Sequence, residues 1–439
     1  MSDFVERPRS SCPLGGALAT LANLPDIVPI IHAAGGCGGN LTASIAFGAG
    51  YLGDGYCTGR TSPTTAVSET EVVFGGNERL EEQIRTTLEL MEGKLYVVAT
   101  GCMTEMIGDD TDGVVREFQA EGKPVVAIST PSFRGDSYHG YEIALDGIFN
   151  KFLPKAKKKN PKLVNIFGLV PGYDPFFRGD LEEIERLLTA VGLSVNTFFT
   201  PGQTFENIAS APSAALNIVF SRVWGRDFAG KFEEKHDTPH LIADLPVGPE
   251  ATDAFLLQIA DKLGLDLQKV QKIIEKENST FYGYFERGAD IFCDGDLKHY
   301  AATVTNATYA LPLTRFLTRE LGWVVTDSFV TDKLTDTQKS VLNDGEFPLQ
   351  FLQGAQEIAR ALNNNHPNGR GQRYFDDLSP LYILGSTLEK RTAAARGARS
   401  LSLSFPVYDR FITDRGYAGY RGGLHLFEDL VGQIMSVKS

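Results

Sequence analysis

Three of the five cysteines stand where a thiolate could hold metal. Cys12 lies in Ser10-Ser11-Cys12-Pro13-Leu14-Gly15-Gly16, Cys37 in Ala34-Gly35-Gly36-Cys37-Gly38-Gly39, and Cys102 in Thr100-Gly101-Cys102-Met103-Thr104-Glu105. Gly and Pro flanks predict loop tips, where bare backbone approaches a bulky inorganic body and turns N–H groups toward its sulfides. Five cysteines among 439 residues are too few, and too odd in number, for a disulfide framework, which leaves thiolate chemistry in a reducing compartment. Cys57 and Cys293 lack such flanks and read as packing residues. On residue pattern alone, ordinary buried thiols remain the competing reading for all five.

Other chemistries are excluded by absence from the sequence. There is no G-x-x-x-x-G-K-[S/T] run, so the chain should not hydrolyse ATP itself, and there is no C-x-x-C or H-E-x-x-H. Gly48-Ala49-Gly50-Tyr51-Leu52-Gly53 matches the dinucleotide fingerprint in letters, but the residues that follow, through Pro63, are poor helix starters, so it reads as a glycine-rich loop. The seven histidines show no ligand spacing; His236 and His240 are separated by Pro239.

The elements that would carry these residues alternate. Strand-length apolar runs are expected at Leu95–Ala99, Val125–Ser129, Leu163–Gly168, Leu216–Phe220, Leu241–Leu245, Ile291–Cys293, Val324–Thr326 and Leu381–Leu384. Helical stretches lie between them, including Asn77–Met91, Asp180–Ala190, Thr252–Leu263, Asp266–Arg287, Tyr300–Leu321, Gln350–Leu362 and Leu388–Gly397. Repetition of strand, loop and helix implies α/β units with parallel sheets covered on both faces, and ligands at the carboxyl ends of the strands. Length suggests about three domains, with breaks near 157 and 287: residues 1–157 carrying the cysteines, 158–287 in the middle, and 288–439 at the end. The net charge of −13 argues against a nucleic-acid or anionic-membrane binder. No run of about 20 apolar residues and no basic-then-apolar start is present, so a cytoplasmic protein is expected.

The residues from Cys12 to Tyr141 resemble the β subunit of nitrogenase component 1 and its relatives. The resemblance rests on Cys12-Pro13-Leu14-Gly15, His32-Ala33-Ala34-Gly35-Gly36-Cys37, Glu71-Val72-Val73-Phe74-Gly75-Gly76, Cys102-Met103-Thr104-Glu105-Met106-Ile107-Gly108-Asp109-Asp110 and Thr130-Pro131-Ser132-Phe133. Farther on, Pro246–Leu256 and Phe405-Pro406-Val407-Tyr408-Asp409-Arg410 are similar again. It implies a fold of three Rossmann-like α/β domains. It also implies that Cys12, Cys37 and Cys102 are the β-side ligands of an interfacial iron–sulfur relay cluster of the P-cluster [8Fe-7S] type, with Ser132 able to add an oxygen ligand on oxidation; a [4Fe-4S] cluster is the alternative. The remaining ligands would come from a homologous α-type catalytic subunit in an α2β2 heterotetramer. Electrons would come from an ATP-dependent iron–sulfur reductase homodimer.

In the same family the α subunit holds the active-site cofactor through a middle-domain Cys and a last-domain His. Leu216–Phe220 has no Cys and Phe405–Arg410 no His, so the resemblance implies the β-type subunit, an oxidoreductase component with no catalytic residue of its own. Cys293 is then misplaced for a cofactor ligand, and His425 is expected inside the last helix. Eleven residues precede Cys12 and the stretch from Cys37 to Gly76 is long, which fits a shorter nitrogenase-like reductase such as methylthio-alkane reductase, acting on C–S bonds, beside the dinitrogen-reducing enzymes. The alternatives are a cofactor-assembly scaffold subunit and a dark-operative tetrapyrrole reductase subunit.

Overall fold

The computed structural model describes residues 8–51, 62–294, 300–366 and 382–435. Within them, three wholly parallel sheets follow one another along the chain. The first joins β1 (Ile27–His32), β2 (Leu95–Thr100) and β3 (Val125–Ser129) in that order. The second orders β4 (Asn160–Phe167), β5 (Ser194–Asn196), β6 (Ala214–Val219) and β7 (His240–Ile242) as β5-β4-β6-β7. The third comprises β8 (Tyr300–Thr305), β9 (Val324–Val330), β10 (Leu349–Phe351), β11 (Tyr382–Gly385) and β12 (Arg399–Ser402), ordered β10-β9-β8-β11-β12. The third order winds outward in both directions from β8, the doubly wound Rossmann pattern.

The first sheet shows why its strands read as unbroken apolar runs: both faces are covered. Ile31, Val97 and Ala99 point into the main core with Leu14, Leu18 and Tyr141, whereas Ile30, Val98 and Ala127 join Leu80, Ile84 and Phe118 on the other side. The first face is covered by α1 (Pro13–Ala22) and by α7 (Ser137–Leu145) crossing it; the second by α4 (Asn77–Leu90) and α6 (Thr111–Ala120). Between them lie α2 (Gly35–Gly48), α3 (Glu69–Phe74) and α5 (Cys102–Ile107). The α1–α7 crossing is glycine-made: a Cβ on Gly16 would sit 1.8 Å from the Ser137 carbonyl oxygen, and one on Gly140 2.0 Å from that of Pro13.

Several expectations are corrected. Ile291–Cys293 is not a strand but part of the helix Ala289–Asp294; three apolar residues carry no period that separates the two. Tyr300–Leu321 is not one helix: its first six residues are β8, the central strand of the third sheet, and the helix Ala307–Arg315 follows. Likewise Leu349–Phe351 is strand β10, so the helix expected from Gln350 begins at Ala355. β1 was not anticipated because Pro29 interrupts it, and proline is tolerated there since β1 is an edge strand. The helix Gly419–Met435 contains His425, as expected. Among the described residues no helix is long and apolar enough to cross a membrane.

Candidate iron–sulfur ligand site

Each of the three cysteines opens a helix rather than sitting at a loop tip. Cys12 is the N-cap of α1, with Pro13 at its first position, where a missing N–H costs nothing. Cys37 is the third residue of α2 and Cys102 the first of α5. Glycine-rich Gly35–Gly39 is a poor helix former, yet the α2 start forms because Gly38 packs beneath Ile31, 3.1 Å from where its Cβ would be. Gly35, Gly36 and Gly39 remain exposed, and nothing lies within 4 Å of a Cβ on Gly39. The backbone beside Cys37 is therefore bare, as close approach of a bulky group requires.

Cys37 and Cys102 follow β1 and β2, and Ser132 follows β3 after Thr130 and Pro131, so all three lie at the carboxyl edge of the first sheet. Cys12 is brought to that edge by α1, which packs on α2 and touches the turn Ser132–Arg134. All three thiols are free and partly exposed. Burial raises the Cys37 thiol above its ordinary value, and the charges of Cys12 and Cys102 raise it further. Both neighbours are thus within Coulombic reach of Cys37. Among the described residues no three His, Cys, Asp or Glu converge tightly enough to hold a single metal ion.

Ser132 contacts only one of them. The Cys102 thiol donates to Ser132 Oγ at 3.1 Å, and the Ser132 amide donates to Cys102 Sγ at 3.1 Å. Glu105, one turn into α5, accepts from the hydroxyls of Thr100 at the end of β2 and Ser129 at the end of β3. The His32 carbonyl at the end of β1 accepts from Gly101 N–H at 2.9 Å and from Thr104 Oγ at 2.8 Å. Three strand ends therefore grip the one helix that Cys102 begins. Sequence spacing shows none of these contacts except the nearness of Thr100 to Cys102.

Cys57 and His299 lie outside the described residues, as does the side chain of Cys293. The described part of the rejected fingerprint, Gly48 to Tyr51, runs from the last residue of α2 through its C-cap Ala49 into a turn, and is not a strand-to-helix turn. His236 and His240 serve packing: His236 Nε2 meets the Phe149 carbonyl at 2.8 Å and His240 Nδ1 meets Glu233 at 2.6 Å. On α3, α5 and the turn Ser132–Arg134, exposed apolar side chains lie on the Cys102 side of the site: Phe74 is 84% exposed, Met106 78% and Phe133 66%.

The fold, three parallel α/β sheets in series, is that of nitrogenase component 1. The chain belongs to the family of nitrogenase component 1 type oxidoreductases, whose model matches residues 12–435. It is 24% identical to the nitrogenase molybdenum-iron protein beta chain of Bradyrhizobium diazoefficiens, across 97% of this chain and 83% of that one. It is 26% identical to the nitrogenase iron-molybdenum cofactor biosynthesis protein NifN of Rhodobacter capsulatus, across 98% and 91%. The solved structure of nitrogenase Cp1 at pH 6.5 superposes with a TM-score of 0.79 at 19% identity, covering 99% of this chain and 94% of that one. The chain is thus of the component 1 β-like or NifN/NifE-like kind.

Proposed function

We propose that this chain is the β-type subunit of a nitrogenase-like reductase and supplies Cys12, Cys37 and Cys102, with Ser132 on oxidation, to an iron–sulfur relay cluster of the P-cluster type at the boundary with a homologous α-type subunit. The observation that carries the reading is the gathering of three free, partly exposed thiols at one sheet edge, with Cys12 and Cys102 both within Coulombic reach of Cys37. When bound, such a cluster takes up and passes on single electrons. This chain's part is to hold the sulfurs in fixed positions, to shield them at the partner boundary, and to offer Ser132 Oγ beside Cys102.

On this reading the α-type partner carries the metal–sulfur cofactor, and a separate ATP-dependent iron–sulfur reductase supplies the electrons. The sequence contains no phosphate loop of its own. The assembly would be α2β2 and cytoplasmic, and the substrate a small one, a methylthio-alkane C–S bond or dinitrogen. The domain limits 1–157, 158–287 and 288–439 belong to the same proposal, supported by one sheet in each.

The test is anaerobic purification with the partner, iron quantification and electron paramagnetic resonance. An eight-iron relay signal that disappears in Cys37→Ala supports the reading; only four-iron clusters, or full relay iron in that variant, would sink it. The assembly-scaffold reading is favoured by the near full-length match to NifN. It predicts a complex that carries clusters and passes them on but does not turn over substrate when the reductase and ATP are supplied.

A further inference from the structure

His32 is fully buried at the end of β1 and uses both ring nitrogens. Nε2 lies 3.0 Å from Asp109 Oδ2 and Nδ1 lies 3.2 Å from Thr65 Oγ. Burial outweighs the pull of Asp109 and holds His32 below its ordinary value, so the ring is neutral at pH 7. One arrangement satisfies every atom: Nε2–H donates to Asp109, and Nδ1 accepts from the Thr65 hydroxyl. Asp109 uses its other oxygen to accept the Gly76 amide at 2.8 Å. A Cβ on Gly76 would meet Asp109 Oδ2 at 2.6 Å, so the fit there is close.

The same residue acts through its backbone. The His32 carbonyl holds Gly101 and Thr104, the residues on either side of Cys102 and Met103. A Cβ on Gly101 would be 2.5 Å from that of Ala33, so α5 rests directly on the chain that leads from His32 to Cys37. One end of α5 is thus fastened by the His32 main chain and the other, through Asp109, by its side chain.

We infer that His32 and Asp109 are positioning residues for the relay, a buried pair that clamps the helix beginning at Cys102 against the strand end leading to Cys37 and so sets the spacing of those two sulfurs. Neither residue touches a sulfur among the contacts of the site. The cluster-bearing part of the inference rests on the proposed function; the thiol geometry does not.

The test therefore has two arms. In the full chain without iron, alkylation by iodoacetamide is followed at each cysteine by mass spectrometry. His32→Leu, which keeps bulk but loses both nitrogens, should speed alkylation of Cys102 relative to Cys12, whereas His32→Gln, which can still donate to Asp109, should restore the ratio. General loosening of the fold would speed both thiols alike. In the purified complex, His32→Leu should shift the relay's midpoint potential and resonance line shape, and hasten iron loss to a chelator about tenfold, as outer-shell substitutions do.

Should His32→Leu not fold, Gly76→Ala crowds the pair at its contact, with the new methyl 2.6 Å from Asp109 Oδ2 and 3.1 Å from His32 Cε1, and the same changes are expected. The inference is overturned if the Cys102-to-Cys12 ratio in the folded variant equals that of the wild type, or if His32→Gln behaves as His32→Leu. A wild-type complex that never holds relay iron would defeat the proposed function, and the alkylation ratio would still decide the positioning role.

Discussion

The backbone amide of Ser132 and its hydroxyl meet the same sulfur: both lie 3.1 Å from Cys102 Sγ. The amide cannot be removed by changing the side chain, but the hydroxyl can. Ser132→Ala should therefore leave the relay iron content near wild type, because Cys102 keeps its amide donor. It should alter only the oxidised state, in which a hydroxyl oxygen would serve as a ligand. Redox titration followed by electron paramagnetic resonance checks this, and loss of iron comparable with that of Cys102→Ala would refute it.

The Cys37 thiol senses the other two, and that has a pH signature. Burial first, then Cys12 and Cys102, raise Cys37 above 9.0, so the folded chain binds its proton more tightly than the unfolded one. Without iron, the stability this contributes is fully present below about pH 9 and is lost as pH rises through the higher folded value. Cys12→Ser removes one of the repelling charges. The pH at which Cys37 begins to react with iodoacetamide should then move down in that variant; an unchanged onset would mean the two sulfurs do not sense each other. Iron loading displaces the same protons, so it should improve with pH over this range.

What could be read from the sequence follows physical reach. The cysteine context was legible because Gly and Pro flanks are local signals, and β2 and β3 because Leu95–Thr100 and Val125–Ser129 are buried on both faces and hence continuously apolar. β8 was not, because its Ala301 and Ala302 suit a helix as well as a strand, and only burial at the centre of a sheet decides between them. That the cysteines open helices was also hidden: glycines argue locally for a loop, and the packing of Gly38 on Ile31 prevails. The His32–Asp109 pair joins residues 77 apart, a separation at which no spacing rule operates.

The α1–α7 crossing carries a prediction about Cys12. Alanine at an open helical glycine stabilises by roughly 0.5–1 kcal/mol, and Gly230, with nothing within 4 Å of its Cβ position, should behave so. At Gly16 the added methyl would lie 1.8 Å from a backbone oxygen, which cannot swing aside as a side chain can. Overpacking then costs about 1–3 kcal/mol or more and outweighs the propensity gain. Gly16→Ala should lower the urea midpoint while Gly230→Ala raises it. Because Cys12 caps the same helix, Gly16→Ala should also lose relay iron, which Gly230→Ala should not.

The junction of the sheets is acidic and buried. Asp174, after β4, accepts from Val170 N–H at 2.6 Å and from Asn306; Asp332, after β9, accepts from Trp224 Nε1 at 2.8 Å and Ala307 N–H at 2.6 Å. Burial is the main cause that pushes both carboxyls up to about 7 from an ordinary 3.8; the Asp332 charge adds to it on Asp174, and the Asp136 charge on Asp332. A raised carboxyl favours the folded state fully below 3.8, and the advantage is lost as pH rises through about 7. Asp174→Asn keeps an acceptor for Val170 and removes one of the two titrating carboxyls. The urea midpoint of the wild-type chain should therefore fall from about pH 5 to about pH 8, and that of the variant should fall less. Parallel curves for the two proteins would show that Asp174 does not titrate in this window, and that its hydrogen bonds hold it ionised against burial.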